Sequence, residues 1–213
     1  MRPTMQRLFL LGVGILFLAF GTRADSHPYN NLSAISNGSD PISVFGPLAD
    51  SFNSGPSAFS LTSVTVLLQS EPIGEEISGG AVTMSLLSNA AGPAPGSVLD
   101  TIGTISSPLS PSLEAYTFAL ATPFDLTANT TYWIELTATS GSNTLWSWSF
   151  DTSGPGVAGQ FFANADGVSP NTDGPYQMDV SGTTSSVPEP GILLMLGSGI
   201  GTLFLKGRRK LLN

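Results

Sequence analysis

Residues 131–138 read TYWIELTA and residues 81–88 read AVTMSLLS. In the first, Tyr132, Ile134 and Leu136 alternate with Trp133, Glu135 and Thr137. In the second, Val82, Met84 and Leu86 alternate with Thr83 and Ser85. Apolar groups at every second position place one face of an extended chain in a core and leave the other outside, a period that no helix can use. The same pattern recurs on both sides. Residues 59–69 (FSLTSVTVLLQ) align Val64, Val66 and Leu68; residues 115–120 (AYTFAL) align Tyr116, Phe118 and Leu120; residues 145–150 set Trp146, Trp148 and Phe150 opposite Ser147 and Ser149. Shorter runs at 99–105, 159–162 and 176–180, with one early strand inside an otherwise irregular lead-in over 25–55, bring the expected total to eight or nine strands. Pro/Gly phrases at 90–97 (AAGPAPGS) and 107–112 (SPLSPS) supply turns. These features predict an all-β body, an antiparallel β-sandwich or jelly roll.

The chain has 213 residues, 7 Lys and Arg, 15 Asp and Glu, one His and no Cys. No Lys or Arg lies between Asp25 and Val187, whereas 14 of the acids do. A body without cations cannot neutralise phosphates, which excludes nucleic acid as a partner. Without cysteine there is no disulfide framework, no thiol nucleophile and no Cys-ligated zinc. The acidity itself serves solubility.

The basic residues sit at the two ends. Residues 1–7 carry Arg2 and Arg7, an apolar run follows over 8–20 (LFLLGVGILFLAF), and Gly21-Thr22-Arg23-Ala24 closes it. A basic leader, a short apolar core and a small-residue exit predict a secretory signal peptide over 1–24, cut after Ala24 or after Gly21. At the other end stand Val187, Pro188, Glu189 and Pro190, then an apolar segment over 191–205 (GILLMLGSGIGTLFL), then Lys206, Arg208, Arg209 and Lys210. The apolar segment is expected as a transmembrane helix, with the basic cluster as its cytoplasmic stop. At 15 residues it is short for a span, and its Gly197, Ser198, Gly199 and Gly201 permit close helix approach. The reading divides the chain into a signal peptide (1–24), an extracellular sandwich (25–180), a small polar linker (181–187) and a tail (188–213).

This ordered set of motif, apolar segment and basic stop resembles the PEP-CTERM sorting tail of Gram-negative, exopolysaccharide-producing bacteria. The resemblance implies an inner-membrane-anchored precursor recognised by an exosortase, a membrane-embedded cysteine protease-like enzyme that cuts near the motif. Delivery to the cell surface or extracellular matrix is then implied. The body, from Ser63-Val64-Thr65-Val66 through Tyr116-Thr117-Phe118 to residues 126–133 (LTANTTYW), resembles the choice-of-anchor R domain. That likeness implies a surface β-sandwich and brings no catalytic residues with it.

For chemistry, a Ser-His-Asp triad would depend on His27, close to the mature N-terminus where chains are loose. A carboxylate pair for glycoside hydrolysis would have to come from Glu75, Glu76, Glu114 and Glu135. Acids on a solvent face are the commoner case, so no enzyme is expected and a structural or adhesive role is. The alternative is a lectin-like module. If Tyr132, Ile134 and Leu136 are core, Trp133 points outward and could stack on a polysaccharide. No cofactor is expected, unless Asn164, Asp166, Asn171 and Asp173, in a repeated Asn-x-Asp-Gly phrase, hold Ca²⁺ through side-chain oxygens. The same phrase is ordinary turn chemistry.

Overall fold

The computed structural model describes residues 23–70, 80–139 and 142–185. Along them run β1 (Arg23–Asn30), β2 (Gly38–Pro41), a single helical turn α1 (Ile42–Phe45), β3 (Leu48–Asn53), β4 (Phe59–Ser70), β5 (Ala81–Asn89), β6 (Pro95–Ser106), β7 (Glu114–Leu126), β8 (Thr131–Ala138), β9 (Thr144–Trp148), β10 (Phe161–Asn164), β11 (Gly167–Pro170) and β12 (Met178–Ser185). They form two antiparallel sheets, so the all-β sandwich expected from the alternation is what the chain builds. One sheet runs β1-β12-β4-β9-β2, with β7 also paired to β4; the other runs β11-β10-β3-β8-β5-β6.

The alternation explains both inner faces. Val64, Val66 and Leu68 of β4 are buried, as are Val82, Met84 and Leu86 of β5 and Ile134 and Leu136 of β8. They meet Met178 and Val180 of β12 in one core, which Phe52, Phe59, Leu61 and Trp146 extend. β-branched and aromatic side chains on a pleated surface pack well in this way. β8 lies at the middle of its sheet, between β3 and β5. Its outward residues therefore face a broad surface with strands on both sides.

The lead-in is more ordered than the sequence reading allows. Residues 23–30 form β1, which pairs with β12, and residues 38–41 form β2, which pairs with β9. Neither alternates in hydropathy, because each is held by backbone ladders at a sheet edge rather than by a buried stripe. β2 also needs a glycine: Gly38 faces Trp148, and a Cβ there would overlap the indole.

The expected linker over 181–187 is corrected in the same way. Residues 181–185 are strand, paired to β4 on one side and β1 on the other, and Gly182 packs against Phe59. Small polar residues suit this position because their neighbours approach closely. The body thus extends from Arg23 to Ser185 rather than from 25 to 180. Residues 1–22 of the expected signal peptide (1–24), Glu75 and Glu76, and the tail from Val187 with its expected transmembrane segment and basic stop lie outside the described residues, whereas Arg23 and Ala24 belong to β1. Among the described residues no helix is long and apolar enough to cross a membrane.

Candidate functional site

The outward face of β8 carries Trp133, Glu135 and Thr137, as the period demands. Expectation and structure part over Trp133. Its ring is 0% exposed and packs with Ala49, Leu87, Ala163 and Phe161 in a second, smaller apolar cluster outside the main core. Its Nε1–H donates to Asn89 Oδ1 at 2.8 Å, and Asn89 Nδ2 donates to the carbonyls of Ala90 and Gly92. The indole is therefore walled in by the turn after β5 and by β10. This overturns its expected role as an exposed glycan-stacking ring. Pairing alternation gave the correct face, but a face of a sheet is exposed only where no other element lies on it.

Among the described residues, clefts open on this outer face beside Trp133 and beside Glu135. The first, about 220 Å³, is lined by Ser51, Asn89, Pro93, Trp133 and Gln160 among others. Two of its polar side chains pair with each other: Ser51 Oγ donates to Gln160 Oε1 at 3.3 Å and accepts from the Phe161 N–H at 3.0 Å. The second, about 270 Å³, lies between Gly46-Pro47, Pro95 and the β10–β11 hairpin, with Ala49, Glu135, Ala163 and Val168 in its lining. Ala49 and Ser85 flank Glu135 on the neighbouring strands. Small residues on both sides leave the hollow, and partial burial raises the Glu135 carboxyl above its ordinary value. No described group hydrogen-bonds that carboxylate or offers it a cation. Glu114 stands elsewhere, exposed on β7 of the other sheet and accepting from Ser110 Oγ at 2.8 Å. The two acids are not brought together as a catalytic pair.

The four oxygen-bearing residues of the repeated phrase also separate. Asn164 Oδ1 accepts from the Asp166 N–H at 2.9 Å, a turn. Asp166 and Asp173 are exposed. Asn171 points inward, and its Nδ2 donates to Tyr29 Oη (3.2 Å), Asp50 Oδ1 (3.3 Å) and the Val157 carbonyl (3.3 Å). The four residues weighed as a possible Ca²⁺ set therefore do not converge, because Asn171 is spent on the interior.

That interior centre was not visible in the sequence. Asp50 is fully buried, and its Oδ2 accepts from Tyr29 Oη at 3.2 Å and from the Tyr176 N–H at 2.8 Å. Burial holds its carboxyl well above the usual carboxylate range, against the donors from Asn171, Tyr176 and Tyr29. Burial and the Asp50 charge likewise raise the Tyr29 phenol. Tyr176 Oη donates to Asp40 Oδ2 at 2.7 Å, and its ring stacks on Trp146 at 4.6 Å. Only the isolated acid in residues 48–52 (LADSF) hinted at this arrangement. His27, expected in a loose terminus, sits in β1 with Nδ1 2.9 Å from Asp179 Oδ1.

Against known families, residues 186–210 match the PEP-CTERM protein-sorting motif. The match begins at the residue that follows β12 in sequence and takes in the motif, the apolar segment and the basic stop. No curated protein matches the chain. A motif of this kind marks an exported protein, made as a membrane-anchored precursor and sorted by exosortase.

Proposed function

Because this chain carries a PEP-CTERM sorting motif, we propose that its sandwich is a non-enzymatic structural or adhesive component of an exopolysaccharide-rich envelope. The precursor is held at the inner membrane of a Gram-negative cell by the apolar segment over 191–205. Exosortase then recognises Val187, Pro188, Glu189 and Pro190, and the body is released to the cell surface or matrix. The observation that carries this reading is the motif match at 186–210, in register with the basic stop at Lys206, Arg208, Arg209 and Lys210. Two features of the body support the non-enzymatic part. Glu114 and Glu135 belong to different sheets, and in the Trp133 cleft Ser51 is paired with Gln160 and the Trp133 indole with Asn89. Mass spectrometry of surface material tests the proposal. It should recover peptides of the body and none beyond Pro190, and Glu189→Ala should leave the tail attached. An intact tail on mature surface protein overturns it, and so does release of new reducing ends from a polysaccharide panel by the purified protein.

A further inference from the structure

The cleft over Glu135 has a need that the body cannot meet from within. Among the described residues its half-buried carboxylate has no hydrogen-bond donor and no counter-ion, and the sequence has no Lys or Arg between Asp25 and Val187 to supply one. A carboxylate withdrawn from water in apolar surroundings gains most from an incoming cation. That cation is not a metal ion, which needs several oxygen ligands; among the described residues no three acidic or histidine groups cluster. It is not a guanidinium stacked on a ring either, because no aromatic side chain lines this cleft. A compact ammonium fits the single carboxylate. The space of about 270 Å³ exceeds what the tip of one extended side chain would fill and has room for a sugar ring. Pro47, Pro95, Ala49 and Val168 offer apolar walls to the C–H faces of such a ring.

We propose that this cleft binds a protonated amino sugar, one unit of a cationic polysaccharide, with Glu135 as the counter-ion of its ammonium group. The proposal rests on the adhesive reading for where such a polymer is met, and it adds the class of ligand. One ammonium–carboxylate contact gives weak binding per unit, and repeats along the polymer raise the overall affinity.

The test is a titration of the mature protein with short glucosamine oligomers, their N-acetylated counterparts and a lysine peptide of equal charge, at slightly below neutral pH. The glucosamine oligomer should bind and the N-acetylated one should not. Glu135→Gln should weaken binding at least about tenfold without lowering the melting temperature. Ala165→Trp, which fills the cleft from its exposed rim, should do the same without touching the carboxylate. Glu114→Gln removes an equal charge from the other sheet and should leave binding as it was. Equal weakening by Glu114→Gln would mean attraction to overall acidity and would overturn the site. Equal binding of the N-acetylated oligomer, or tighter Glu135-dependent binding of the lysine peptide, would overturn the ligand class. None of these results bears on tail processing or surface location, so failure here and failure of the broader reading are told apart.

Discussion

Trp133 and Asp50 show how single residues on neighbouring strands are fixed by groups far away in the chain. Trp133→Ala removes a fully buried indole from the outer cluster and should cost about 3–5 kcal/mol, read from denaturant unfolding. Trp133→Phe keeps most of the packing and loses the bond to Asn89, at about 1 kcal/mol. Asp50 makes a sharper contrast. Asp50→Ala strands the Tyr29 hydroxyl and the Tyr176 N–H inside the protein, while the Asn171 amide keeps Tyr29 Oη and the Val157 carbonyl. With about 1–3 kcal/mol for each orphaned group, it should cost at least about 2 kcal/mol. Asp50→Asn retains an acceptor and carries no charge to desolvate, so it should cost far less; equal losses for the two would refute this account. The sequence gives the face that Trp133 occupies, because alternation along β8 is local. It does not reveal that Asn89 and Phe161 cover that face, since such cover depends on elements brought together only by folding. The inward turn of Asn171 is hidden for the same reason. Its phrase has the same Asn-x-Asp-Gly form as that around Asn164, yet one asparagine closes a turn and the other enters the core.

At the level of elements, β12 is the least legible strand and the most consequential. Its last residues are small and polar, so nothing in their pattern distinguishes a linker from a strand. They are strand because β4 and β1 flank them with complementary ladders, in which Thr183 faces Ser60 and Asp25. A chain ending at Ser186 should melt like the full body, whereas one ending at Val180 loses ladder bonds on both sides. That truncation should cost more than about 2 kcal/mol; equal melting of the two would return 181–185 to the status of a linker. β5 and β8 were legible for the opposite reason. Each buries one whole face, so its register is written in the residues themselves.

For the molecule as a whole, charge sets the response to pH. Asp50 and Glu135 have folded-state values above their ordinary ones. Between the ordinary carboxylate range and the raised value, the folded state therefore holds more protons than the unfolded state. Stability from these groups falls as pH rises through that window and is recovered on acidification. Asp151, lowered by its bonds to Ser153, works the other way from a fully exposed position. Mutual repulsion among 14 acids without Lys or Arg adds to the first trend. The melting temperature should rise from neutral pH toward about pH 4.5, and added salt should raise it at neutral pH. A fall on acidification would show that ionised carboxylates stabilise this fold. Any tension on the chain beyond Ser185 is delivered to a strand held between two others, not to one at a sheet edge. To yield, the sandwich must part the ladder with β1 and the ladder with β4 together. The end that leads toward the sorting tail is thus its mechanically reinforced end.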